Sequence, residues 1–172
     1  MKKIFILMIS FLTYASVLGQ TENTSVFIMN FSEEALESKT VVKKNDIAVD
    51  KINYMTEQNS VVILAYESIY PFDYIEKLDK DELEALIRSI NKEGFEKINN
   101  LMGAIPEKSV EKIIKFKNAS EAIRTNAKVN GLEFESTTIR SQNNFLQIIF
   151  IGEVKSKDAT DFMAQLEIIV VE

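Results

Sequence analysis

Ala127-Lys128-Val129-Asn130-Gly131-Leu132-Glu133-Phe134 sets two alternating runs on either side of Asn-Gly, the strongest short-range signal for a β-hairpin. A type I′ turn at Asn130-Gly131 puts Val129 opposite Leu132 and Ala127 opposite Phe134. On the other face it sets Lys128 against Glu133, a favourable cross-strand charge pair. Further on, Phe145-Leu-Gln-Ile-Ile-Phe-Ile151 is apolar on both faces and reads as an inner strand. A helix from Asp158 to about Val170 follows, with Ala159, Phe162, Met163, Leu166, Ile169 and Val170 on one stripe and Asp158 and Asp161 as capping residues. Ile123 to Glu172 is therefore a strand–strand–strand–helix unit.

Upstream, Asp79 is a good N-cap with Glu82 at its third position, a variant of the capping box. Leu83, Leu86, Ile87, Ile90, Gly94, Ile98 and Leu101 then hold an i, i+3, i+4 rhythm until Gly103 and Pro106. Gly94 costs about 1 kcal/mol relative to Ala in mid-helix, so it either admits another element closely or splits the helix. Thr24–Met29, Thr40–Val42, Ile47–Met55 and Ser60–Glu67 read as strands, separated by the polar breaks Lys43–Asp46 and Thr56–Asn59. Val61–Tyr66 is β-rich and apolar on both faces, which places it inside the sheet. Ser32 to Glu37 reads as one helical turn capped by Ser32. Tyr70-Pro71 ends the strand before the long helix. From Pro106 to Asn118 the pattern suits either a helix, through Val110, Ile113 and Ile114, or a short strand, through Ile114 and Phe116.

Composition bounds the chemistry. The chain has 172 residues, 46% hydrophobic and 27% charged, a globular balance with no repeat and no Gly/Pro/Ser-rich linker. It has no Cys and no His, so disulfides, thiol nucleophiles, His-based triads and the usual zinc and haem ligands are all missing. These absences point away from an enzyme. With no Trp, a stacking platform would fall to Tyr or Phe. Met1-Lys-Lys3, the apolar run Ile4–Leu12 and the small residues up to Gly19 form a signal-peptide pattern, with cleavage expected after Gly19. Ile4 to Leu18, 15 residues, falls short of the roughly 20 that span a bilayer. The expected organisation is a leader at 1–19 and a single α+β domain at 20–172, secreted or periplasmic, with no membrane span in the mature chain. Loss of Lys2 and Lys3 takes the formal charge from -6 to -8, which argues against nucleic acid or an anionic membrane as partner.

The best candidate for recognition is Tyr66-Glu-Ser-Ile-Tyr70-Pro-Phe72-Asp-Tyr74, whose Tyr66, Tyr70, Phe72 and Tyr74 can form an amphipathic patch on a connection. The competing reading packs these rings under the long helix, a common fate of Tyr. Asp79, Asp81, Glu82 and Glu84 are carboxylates of a first helical turn, favoured by the helix dipole, and lack the Gly turn of a calcium loop. Ser89-Ile-Asn-Lys92 and Ser109-Val-Glu-Lys112 match a Ser-x-x-Lys spacing without the companion motifs of acyl-transfer enzymes. Asn23-Thr-Ser25 and Asn118-Ala-Ser120 fit the N-glycosylation pattern.

From Val61 onward the order of elements resembles the PsbP-like family, which includes DcrB-like bacterial proteins. The matching features are Val61–Tyr66, Asp79–Met102, the Asn130-Gly131 hairpin, Phe145–Ile151, and Asp158-Ala-Thr-Asp-Phe162 leading into Ile168-Ile-Val170. The resemblance implies an α/β/α-type sandwich with a central antiparallel sheet, and a non-catalytic assembly or binding role outside the cytoplasm. No family site motif is matched, so no functional residue carries over.

Three functions are then expected, in order: a secreted, non-catalytic binding or assembly module with a protein partner in the envelope or outside the cell; a small-ligand carrier with a cavity near Gly94; and a carboxylate-dependent hydrolase, which needs neither His nor Cys. No cofactor and no metal are expected.

Overall fold

The computed structural model describes residues 25–31, 34–44, 46–103 and 108–169. Its centre is a seven-stranded antiparallel sheet in the order β2-β3-β4-β8-β7-β6-β5. The strands are β2 (Leu36–Lys44), β3 (Ile47–Gln58), β4 (Val61–Ile69), β5 (Lys108–Ile113), β6 (Glu121–Val129), β7 (Leu132–Ser141) and β8 (Asn144–Gly152). Two short strands, β1 (Phe27–Ile28) and β9 (Glu167–Ile168), pair with each other apart from this sheet. Helices α1 (Phe72–Ile75) and α2 (Lys80–Met102) follow β4, and α3 (Lys157–Gln165) follows β8.

The hairpin at Asn130-Gly131 has the expected register, Val129↔Leu132, Lys128↔Glu133 and Ala127↔Phe134. Both turn residues are left-handed, with φ 51° at Asn130 and 81° at Gly131, as a type I′ turn requires. Asp46, Asn59 and Gln142 are also left-handed, each in a two-residue connection between neighbouring strands. The break at Thr56–Asn59 is correspondingly shorter than expected, because β3 continues through Gln58 and only Asn59 and Ser60 turn.

β4 and β8 lie side by side at the middle of the sheet, and every residue of β4 is buried. Side chains alternate across the sheet, so the two runs that are apolar on both faces feed two cores. On one face Ile63, Ala65, Leu146, Ile148 and Phe150 pack against Ala159 and Phe162 of α3 and against Val26, Phe27, Leu166 and Ile168. On the other, Leu64, Tyr66, Ile149 and Phe134 meet Phe95 and Ile98 of α2, while Val49, Tyr70, Ile123 and Phe145 meet Ile87 and Ile90. The result is an α+β sandwich with a helix on each face of a central antiparallel sheet.

α2 begins with a complete capping box, the Asp79 side chain accepting from the Glu82 N–H while the Glu82 side chain accepts from the Asp79 N–H, each at 2.9 Å. It ends on Gly103, left-handed at φ 64°. Gly94 does not split it: a Cβ there would lie 1.8 Å from Oε1 of Gln147 in β8, so the glycine admits a strand side chain.

Several expected boundaries are corrected and one open segment is resolved. The helical turn expected at Ser32–Glu37 is replaced at its C-terminal end by β2, which starts at Leu36 and pairs with Met55 of β3; Ser32 and Glu33 lie outside the described residues. β1 is limited to Phe27–Ile28 of the expected Thr24–Met29, and Thr24 lies outside the described residues. The segment left open between helix and strand is the edge strand β5, paired with β6 over Lys108–Ile113. The C-terminal helix stops at Gln165: Leu166 is extended and Ile168 pairs with Phe27, a pairing that buries Ile168 while Ile169 stays exposed; Val170 lies outside the described residues. Its N-cap is Ser156, whose hydroxyl accepts from the Ala159 N–H, and Asp158 instead accepts from the Asn59 side chain at 2.7 Å.

Candidate functional site

The four aromatic residues of the Tyr66–Tyr74 segment are not gathered into one exposed patch. Tyr66 lies within β4 rather than in a connection and is 8% exposed; Tyr70, just after the strand, is 3% exposed. The Tyr70 ring stacks on Tyr74 at 5.9 Å and meets Phe145 edge-on at 5.3 Å, and it packs with Ile87 and Ile90 of α2. Tyr74 is half-buried, and Phe72, in α1, is 54% exposed. Alternation explains the split. Strand residues of one parity must face α2, whereas Phe72 follows Pro71 on a single helical turn at the rim.

What Tyr66 and Tyr70 floor is a cluster of charge. α2 packs most closely on β6, β7 and β8, so the same face of β2 and β3 extends beyond its flank. There Lys44 of β2 donates to Glu93 of α2, which also lies 3.5 Å from the Ser89 hydroxyl. Lys51 of β3 is half-buried on the same sheet face, and the exposed Lys97, one helical turn after Glu93, sits 5.7 Å above the Tyr66 ring. Burial lowers the pKa of Lys51, and the charges of Lys97 and Lys44 lower it further, against the pull of Glu93. Burial would raise Glu93, but the hydrogen bond from Lys44 and the charges of Lys44, Lys51 and Lys97 outweigh it and hold the carboxylate below its ordinary range. Tyr70, pushed up to about 12 by burial, also feels Glu93, and burial raises Tyr66 as well.

Three ammonium groups and one carboxylate thus converge on a tyrosine floor. Lys44, Lys51, Glu93 and Lys97 were not singled out from the sequence, although a signal was present. Ile47, Val49, Lys51, Asn53 and Met55 share one face of β3, so alternation places Lys51 on a face that is otherwise largely apolar.

Under the middle of α2 lies a second polar group, closed to solvent. Asn91 donates to Thr125 at 2.7 Å and accepts from Ser136 and Thr138, each at 3.0 Å. Gln147 donates to the Asn91 carbonyl at 2.9 Å and to Ser136 at 3.0 Å. All five residues are buried and bonded to one another, which suits a device that fixes helix against sheet. Gln147 fills the space at Gly94 where a ligand cavity was expected.

On the opposite face Glu67 is 0% exposed, and neither carboxyl oxygen has a hydrogen-bond partner among the described residues. The nearby Ser25 hydroxyl is engaged with the N–H and carbonyl of Phe27 at 3.1 and 3.2 Å. Burial pushes the Glu67 carboxyl up to about 7, with Ser25 and Lys39 pulling the other way.

The remaining sequence candidates have structural roles. Asp79 and Glu82 cap α2, and Glu84 bonds Arg88 at 2.8 Å. Ser89 faces Glu93, while Lys92 pairs with Glu96 at 3.5 Å, so Ser89 and Lys92 point to different partners. Ser109 and Lys112 lie on β5, where residues three apart face opposite sides. Asn118 is exposed and left-handed, and its side chain donates to the Ile168 carbonyl at 3.4 Å; Asn23 lies outside the described residues. Among the described residues no three Asp or Glu side chains gather to hold a metal ion, and no helix is long and apolar enough to cross a membrane.

No protein-family model, curated protein or solved structure matches the chain.

Proposed function

We propose that this chain is an exported, non-catalytic binding module, and that it binds its partner where the flank of α2 meets β2 and β3. One observation carries the reading: Lys51, half-buried, pairs across the ladder with Ser68, two residues from Tyr66, and Lys97 stands over the Tyr66 ring, while Glu93, the carboxylate whose charge acts on both, is already bonded by Lys44. A half-buried ammonium facing another ammonium is a poor arrangement for stability, and such arrangements concentrate at functional sites. Export is supported by the basic, apolar and small-residue pattern of positions 1–19. A binding rather than catalytic role is supported by the lack of His and Cys and by an element order that resembles PsbP-like proteins.

Affinity capture from the envelope or culture fraction, with wild-type protein and a Lys51→Met, Lys97→Met variant as baits, tests the proposal. A partner held by the wild type and lost by the equally stable variant is the expected result. A partner retained equally by both moves the binding face elsewhere.

A further inference from the structure

We infer that Lys51 and Lys97 receive an oxyanion, a carboxylate or phosphate group, with Tyr66 beneath it and the Lys44–Glu93 pair along one side. The inference rests on the binding-face reading above and names the chemistry of what is bound. The charge count at the site is three ammonium groups against one carboxylate, in a chain whose 26 acidic residues outnumber its 20 basic ones. Exposed lysines, Lys97 among them, are solvated and by themselves need no explanation. Lys51 differs: it is half-buried in the sheet face, and its nearest charges include two further lysines.

The surrounding groups say what can enter. From β2 comes Lys44, from β3 Lys51, and from β4 the Tyr66 ring. α2 contributes Ser89, Glu93 and Lys97, while Tyr70 at the end of β4 lies close enough to feel Glu93. Glu93 is bonded by Lys44 and ties β2 to the helix, and its single charge is shared among three ammonium groups, which leaves the site net positive. Cations are repelled. An oxyanion bridging Lys51 and Lys97 gains two charge-assisted hydrogen bonds where water is partly excluded. It also offsets the repulsion between them.

Titration calorimetry with inorganic phosphate and, separately, with succinate tests this and distinguishes phosphate from carboxylate. The expected result is saturable binding of one of the two, with a shift of the Lys51 Nζ resonance. Lys51→Met or Lys97→Met should weaken it by roughly tenfold or more, as loss of a charged hydrogen-bond donor predicts. Lys51→Arg, which keeps the charge, should retain most of the affinity, and Lys155→Met should match the wild type. No saturable binding of either anion, or binding indifferent to Lys51→Met, overturns the inference. If neither anion binds yet partner capture still depends on Lys51 and Lys97, the oxyanion assignment alone fails. If capture is indifferent to both lysines as well, the binding face fails with it.

Discussion

At Gly94 and Gly131 the same residue type answers two different demands, and the difference is measurable. Gly94 has ordinary helical backbone; what it lacks is room, since the Gln147 amide occupies the place of a side chain. That amide cannot swing aside freely, because it is 2% exposed and bonded to the Asn91 carbonyl and to Ser136. Gly94→Ala should therefore destabilise the fold by about 2 kcal/mol or more in urea unfolding, from overpacking and broken buried hydrogen bonds. Adding Gln147→Ala should recover part of that loss, a coupling a double-mutant cycle reads directly; strictly additive effects would show that the clash is absorbed elsewhere. At Gly131 the balance is reversed. A Cβ would meet nothing within 4 Å, but φ is 81°. Gly131→Val should cost more than about 1 kcal/mol through backbone strain alone, and Gly131→Asn, which tolerates left-handed geometry, clearly less. Equal costs for Val and Asn would rule out positive φ as the cause. The helical rhythm around Gly94 announced that something approaches closely there. It could not name Gln147, a polar residue inside an otherwise apolar strand.

Among the elements, those carried by short-range physics were legible: the Asn-Gly hairpin, the capping box of α2 and the two strands apolar on both faces. The misread elements depend on pairing partners that the local sequence pattern does not show. Ile168 joins a strand rather than the helix because Phe27, far upstream, pairs with it, and β2 forms because β3 offers a ladder. The lysine cluster escaped for the same reason, since β2, β3 and α2 meet only in the folded chain. Where β4 meets the segment carrying β1, Glu67 gives stability a pH dependence. Its ordinary value of 4.5 is raised to about 7 in the fold. Below about 4.5 the carboxyl is protonated in both folded and unfolded chains and contributes nothing to the difference. Between 4.5 and 7 the unfolded chain releases the proton while the fold retains it, so stability declines and then levels off above 7. The full loss is about 3 kcal/mol. Urea midpoints across this range should fall for the wild type and much less for Glu67→Gln; parallel curves would mean that another group sets the trend. The segment entering α1 offers a simpler contrast. Tyr70→Ser should lower Tm by several degrees, because the ring packs against Phe145, Tyr74 and α2. Phe72→Ser, at an exposed ring, should leave Tm nearly unchanged.

For the whole molecule, the sheet is two antiparallel meanders, β2-β3-β4 and β8-β7-β6-β5, joined along one ladder between β4 and β8. Within each meander most pairings close short loops, whereas the seam brings Val61–Ile69 to Asn144–Gly152. Both strands at the seam are almost wholly buried, so separating the meanders would expose the apolar centre of both cores. Each face binds the halves together as well: α2 spans residues of both meanders on one side, and α3 with the β1–β9 ribbon does so on the other. The chain should therefore unfold as one cooperative unit, and its composition supplies the probes. There is no Trp, and all tyrosines precede α2, so tyrosine fluorescence reports the first meander. Far-UV circular dichroism is weighted towards the long helix α2. Ile148 lies on the seam at 0% exposure, and Ile148→Ala should cost about 2–5 kcal/mol by opening a cavity there. If the seam makes one unit, both signals move to lower urea together and remain coincident. If only one moves, the two meanders are separable folding units, and the β4–β8 ladder is a docking surface between them rather than the centre of a single core.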